Sequence, residues 1–209
     1  MPQGSGGSCA RRDNSSRGEL CLAYFACFAG CMAPHGSITT FSGVRFWPLH
    51  PNPDDILIAD IAHALAHQCR FGGHAREFYS VAEHCVRVSQ HCRPEDALWG
   101  LLHDASEAFL SDVPAPLKVL PAFKAYRAAE RVLQRIIAAR FGVAPKQPAS
   151  VTEADRAMLR IEMSDLLRPL GGRQPGRPPH NKLTITNPWQ PRIAKARFLS
   201  RFRELCWKL

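Results

Sequence analysis

The 209-residue chain predicts an all-α domain, a bundle of about six helices with a short N-terminal strand or hairpin cover. Three observations carry this. Apolar residues recur at helical spacing through most of the chain after residue 55. Two capping boxes, Ser80-Val81-Ala82-Glu83 and Ser150-Val151-Thr152-Glu153, mark where helices begin. Aromatic and β-branched residues cluster at one place only, Thr39 to Leu49, where Phe41, Val44, Phe46 and Trp47 predict the strand or hairpin.

Taken in order, residues 1–40 read as a leader outside the folded domain, and 41–209 as the domain itself. The leader is Gly/Ser-rich and then apolar from Leu20 to Met32, with Cys21, Cys27 and Cys31. Arg11, Arg12 and Arg17 before that run suit a signal peptide, and Phe28-Ala29-Gly30-Cys31 approximates a lipoprotein cleavage site. Asp13 and Glu19 interrupt the basic region, and the run is too short to span a bilayer, which takes about 20 apolar residues. The preferred reading is a dispensable leader or a mis-assigned start, with translation beginning at Met32. The cysteines form no C-x-x-C pair and are scattered among helical patterns, as expected of a reduced cytoplasmic protein.

Pro51-Asn52-Pro53-Asp54-Asp55 breaks the chain and opens a helix over 56–68, with Ile58, Ile61, Ala62 and Leu65 on one face. His63 and His67 lie one turn apart on it, but no Glu separates them as in a zinc-protease helix, and they read as solvent-facing. In the loop Arg70-Phe71-Gly72-Gly73-His74-Ala75-Arg76, glycines allow close backbone approach and arginines offer phosphate-matching forks. The Ser80 box opens the helix carrying His84. A helix over 94–110 follows, and Pro114 and Pro116 forbid its continuation. Further helices are expected over 123–141, closed by Gly142, from the Ser150 box to about Leu167, and over 193–207.

The chemistry centres on His103-Asp104-Ala105-Ser106-Glu107. An apolar helical pattern here carries an imidazole and a carboxylate inward, where they are costly without a partner. On a continuous helix His103 and Glu107 share a face and Asp104 reaches the same point from the side, which suits a metal. Asp112 lies on the loop just past the helix end, at the same mouth. His84 and Asp155 sit near the starts of two other helices.

The order His84, His103-Asp104, Asp155 resembles the signature of the HD-domain metal-dependent phosphohydrolases, an all-helical superfamily. The run H-D-A-S-E followed by D-x-P-x-P-x-K, from His103 to Lys118, and the run Tyr79 to His84 are similar to the branch holding bacterial 5′-deoxynucleotidases. The resemblance spans roughly Phe41 to Leu167. It implies one divalent ion (Mn, Co, Zn, Fe or Mg) held by His84, His103, Asp104 and Asp155, with open positions for water and a phosphate oxygen. It further implies Glu107 and Asp112 as acid/base and water-positioning carboxylates, Arg70 on the substrate phosphate, and a homodimer. Where that branch has Trp after the arginine, this chain has Phe71. No histidine lies between Asp104 and Asp155, unlike the di-iron oxygenases and two-metal phosphodiesterases of this type, and Ala108 replaces the Asp that alarmone hydrolases place after their Glu.

The expected activity is therefore phosphate release from nucleoside or deoxynucleoside 5′-monophosphates; the alternative is a catalytically silent nucleotide sensor or nucleic-acid-associated module. The net charge of +9 resides in residues 156–209, with 12 basic and 3 acidic side chains, and a Gly/Pro/Arg loop begins after residue 168. This tail reads as a solvated face whose field would steer nucleotide anions inward, rather than as a nucleic-acid surface.

Overall fold

The computed structural model describes residues 36–173, 176 and 183–207. Residues 1–35, with the leader's cysteine run, and part of the Gly171–Pro179 loop lie outside them; the boundary expected at residue 41 moves back, because Ile38 and Thr39 form a strand of the folded unit that begins at Gly36. The described residues form a helical bundle with a small hairpin, β1 (Ile38–Thr39) paired antiparallel with β2 (Arg45–Phe46), Ile38 opposite Phe46. The hairpin covers the bundle through Phe46, which is fully buried and stacks on Phe109 with ring centroids 4.2 Å apart. Burying such a ring contributes about 1.5–3 kcal/mol.

The helices are α1 (Ile58–His67), α2 (Val81–His91), α3 (Ala97–Leu102), α4 (Glu107–Leu110), α5 (Ala115–Lys118), α6 (Lys124–Arg140), α7 (Ala149–Leu166) and α8 (Pro191–Cys206). Helix α2 is the hub, packed against α1, α3, α7 and α8. Its sequence explains this: from Val81 to Ser89 every residue except Arg87 is buried, so it carries no solvent face over its first two turns. The serine half of the Ser80 box forms, with Ser80 Oγ accepting from the Glu83 N–H at 3.1 Å. The Glu83 carboxylate does not return to the cap; it accepts from Arg87 at 2.6 Å and from the Trp189 N–H at 2.6 Å, tying α2 to the entry of α8.

At Gly142 the prediction also holds. With φ at +71°, Gly142 donates to the Ala139 carbonyl while the Val143 N–H donates to the Ala138 carbonyl, the paired bonds of a Schellman stop. Three expectations are corrected. The helix over 94–110 is not continuous: a 3-10 turn at Pro94–Asp96 precedes α3, and residues 103–106 separate α3 from α4. There the Ala105 and Glu107 N–H groups donate three residues back, to Leu102 and Asp104, rather than four. The Ser150 box does not cap α7, which starts one residue earlier after Pro148, and the Ser150 hydroxyl donates to Asp96 instead. The Pro114–Lys118 stretch, where the sequence predicts no helix, makes the single turn α5, because proline is tolerated at the first positions of a helix.

At Gly100, α3 packs tightly against the end of α2. A Cβ there would lie 2.5 Å from Cys92 Sγ and 3.1 Å from Ser89 Cα. Gly100→Ala is accordingly expected to destabilise the protein by about 1–3 kcal/mol, read as a lowered denaturant midpoint at unchanged slope. A midpoint at or above the parent's would contradict so tight a crossing.

Candidate metal centre

The polar cluster forms where α2, the end of α3 and α7 meet. His84 comes from the first turn of α2, His103 and Asp104 from the break after α3, and Asp155 from the second turn of α7. Of the residues singled out in the sequence, these four and Arg70 converge. His84 Nε2 lies 3.2 Å from His103 Nε2, 3.2 Å from Asp155 Oδ1 and 3.7 Å from Asp104 Oδ2. His103 Nε2 is 3.2 Å from Asp104 Oδ2 and 4.0 Å from Asp155 Oδ1. Both imidazoles are buried, whereas the Asp104 and Asp155 side chains are 22% and 36% exposed, so the cluster opens to solvent on its acidic side.

The tautomers follow from the partners of the other ring nitrogens. His103 Nδ1–H donates to the Gly100 carbonyl at 2.8 Å, and a carbonyl can only accept. His84 Nδ1–H donates to Glu162 Oε1 at 2.6 Å. Each ring therefore turns Nε2 toward the other with only one further proton to be shared. Two such ring nitrogens at 3.2 Å, flanked by two carboxylates, favour positive charge between them, either a proton on one ring or a bound cation. The distance matches two imidazoles on one tetrahedral ion, for which bond lengths of about 2.0–2.1 Å give nitrogens roughly 3.3 Å apart. His84, His103 and Asp104, with their ligand atoms all within 4.8 Å of one another, form a group that can hold a metal ion.

Electrostatics point the same way. Burial opposes charge on His103, but the adjacent Asp104 overcomes it and holds the imidazolium well above its usual range. Burial would likewise raise Asp104, yet His103, His84 and Arg70 keep its carboxyl far below the ordinary value. Asp155 is lowered against burial by His84 and His103. Without a metal, a proton on His103 meets part of this demand for positive charge; an ion taking its place must release it.

Glu107 departs from the expected convergence. Because residues 103–106 interrupt the helix, it does not share the point where His103 and Asp104 meet. Its Oε1 accepts from Lys118 Nζ at 2.9 Å, and Lys118 also donates to Glu130 at 2.7 Å. Glu107 Oε2 is buried without a hydrogen-bond partner. Burial, then the charges of Asp104 and Asp112, push this carboxyl up to about 8 against the pull of Lys118. Asp112 is half-buried and also raised, by burial and Asp104 against Arg70 and Lys118. Gln68 at the end of α1 sets both: its Nε2 donates to the Glu107 carbonyl at 3.0 Å and its Oε1 accepts from the Asp112 N–H at 3.1 Å.

Arg70 is held by backbone pairing of Cys69 with Ser80 and by its own N–H on the Tyr79 carbonyl at 2.9 Å. Phe71, Gly72 and Gly73 then all take positive φ, so Gly-type geometry turns the chain away directly behind Arg70. Its guanidinium lies 3.2 Å from Glu162 and 3.7 Å from Asp104, with Nε buried and unpartnered. His63 and His67 stack on each other at 4.2 Å near the surface beside Phe41 and Lys195, apart from the cluster.

Glu162 and Tyr79 escaped the reading of the sequence. A signal existed for the first: Glu162 lies seven residues after Asp155, on the stripe of α7 that buries Val151, Met158 and Ile161, and an acid on such a stripe needs a partner.

No helix among the described residues is long and apolar enough to cross a membrane. No family model matches the chain. It is 40% identical over 171 residues to the uncharacterized protein YfdR of Escherichia coli K12, covering 80% of this chain and 94% of that protein. An uncharacterized protein of Rhodobacter capsulatus is 37% identical over 125 residues, 56% of this chain and 63% of its own length. With nearly the whole of YfdR covered at this identity, the chain belongs to the YfdR family.

Proposed function

We propose that this protein is a metal-dependent phosphomonoesterase of the HD-domain type, acting on nucleoside or deoxynucleoside 5′-monophosphates in the cytoplasm. The observation that carries the reading is the pair of committed histidines, whose Nε2 atoms face each other 3.2 Å apart beneath two partly exposed carboxylates. The free thiols of Cys69, Cys85, Cys92 and Cys206 suit a reducing compartment.

His84, His103, Asp104 and Asp155 would hold the ion, a mixed N/O set that suits Mn²⁺, Co²⁺, Zn²⁺ or Fe²⁺. Such an ion, when bound, lowers the pKa of water and polarises a phosphoryl oxygen. Arg70, beside the open acidic side, neutralises the phosphate with its guanidinium. Glu107, its carboxyl pushed up to about 8 while Lys118 holds Oε1, serves as the proton donor to the departing 5′-oxygen. Asp112 orients the attacking water from the loop that Gln68 fixes.

The test is phosphate release from a panel of nucleoside and deoxynucleoside 5′-monophosphates after stripping metal and adding back Mn²⁺, Co²⁺, Zn²⁺ or Mg²⁺. Metal-dependent release is expected, with one ion per chain by calorimetry and proton release on binding, read from the buffer dependence of the heat. Nucleotide binding without turnover under every metal would move the reading to a silent sensor.

A further inference from the structure

Glu162 is fully buried, a costly place for a carboxyl unless donors surround it. Three donors surround it from three parts of the chain. Oε1 accepts from His84 Nδ1–H at 2.6 Å and from the Tyr79 hydroxyl at 2.9 Å, while Oε2 faces Arg70 Nη2 at 3.2 Å and has no other partner. The two oxygens thus serve different groups: one the imidazole that turns Nε2 to the metal cluster, the other the guanidinium at the open side. Tyr79 and Arg70 are themselves joined through the backbone, and α7 delivers Glu162 and Asp155 together, two turns apart on one face.

We propose that Glu162 is a shared positioning residue, fixing His84 for the metal with one oxygen and Arg70 for the phosphate with the other, so that metal and phosphate affinity are coupled through it. The inference rests on the metal-dependent reading above. It adds that the pocket is not two independent subsites. A phosphate that engages Arg70 does so on a guanidinium held against the carboxylate that also orients His84, and each ligand therefore binds a pocket the other has helped to order. By linkage the coupling is reciprocal: phosphate tightens the metal by the same factor by which the metal tightens phosphate.

Titration calorimetry with Mn²⁺ and with inorganic phosphate, each with and without the other, tests this in the full chain and in Glu162→Gln. The glutamine keeps the shape but turns an amide N–H₂ either toward Arg70 or toward His84. The variant is expected to bind Mn²⁺ about 10- to 100-fold more weakly and phosphate about tenfold or more weakly, and the coupling factor should fall below the parent's to the part that direct contact between ion and phosphate supplies. A variant that leaves either affinity at the parent's value overturns the proposal. Should Glu162→Gln fail to fold, Tyr79→Phe, which removes one donor from Oε1, is expected to weaken both ligands together, and a change in only one or in neither overturns it. Failure of the parent itself to bind any of the divalent ions would instead refute the metal-dependent reading, so the two failures are distinct.

Discussion

Asp104→Ala is expected to abolish metal-dependent phosphate release, lowering kcat/KM by roughly a thousandfold or more, about 4 kcal/mol of transition-state stabilisation. Asp104 is the acid nearest His103 and also reaches His84 and Arg70: its Oδ2 lies 3.2 Å from His103, 3.7 Å from His84 and 3.7 Å from Arg70. Removing it deletes an anionic ligand and takes away the charge that most strongly favours a cation at His103. Arg70 would then pair with Glu162 alone. Calorimetry should show Mn²⁺ binding lost or weakened by at least two orders of magnitude, with the proton release that accompanies it lost too. The substitution should leave the fold intact, since Asp104 lies at the solvent-facing rim of the cluster. A variant that keeps parent-level, metal-dependent turnover would remove Asp104 from the ligand set.

Glu107→Gln is expected to lower kcat by about 10²–10⁴-fold while leaving Mn²⁺ affinity within a few-fold of the parent, because the residue sits beside the ligand cluster and not in it. The pH profile supplies a second readout. A proton donor held up to about 8 is charged and inactive above that value, so kcat should fall as pH rises through about 8 in the parent, and this limb should be missing from the glutamine variant. Stability carries the same signature. The folded carboxyl binds its proton more tightly than the unfolded one, so the parent loses stability relative to the variant as pH rises from about 4.5 through about 8. Equal melting-temperature differences at pH 5 and pH 9, with an unchanged kcat limb, would refute a raised Glu107.

Much of this was written in local sequence. Ser80 caps α2, Gly142 closes α6, and Pro114 bars the continuation of α4, because each acts on backbone within a few residues of itself. Side chains costly to bury against an apolar helical pattern marked His103 and Asp104, and the resemblance of the order His84, His103-Asp104, Asp155 to the HD-domain signature added the other two. Tertiary structure decided the rest. Helical spacing relates residues three or four apart, but the contacts of Arg70 with Glu162, of His84 with Asp155 and of Ser150 with Asp96 join segments 54–92 residues apart and exist only once α2, α3 and α7 pack together. The same packing unwinds the chain at 103–106, parting Glu107 from His103 and giving it to Lys118, an outcome the unbroken apolar pattern could not convey. Local propensity chose the helices and the residues able to bind a cation. Only packing determined that His84 and Arg70 would share Glu162, because a buried charge is tolerated where distant donors happen to converge, and that convergence is a property of the fold.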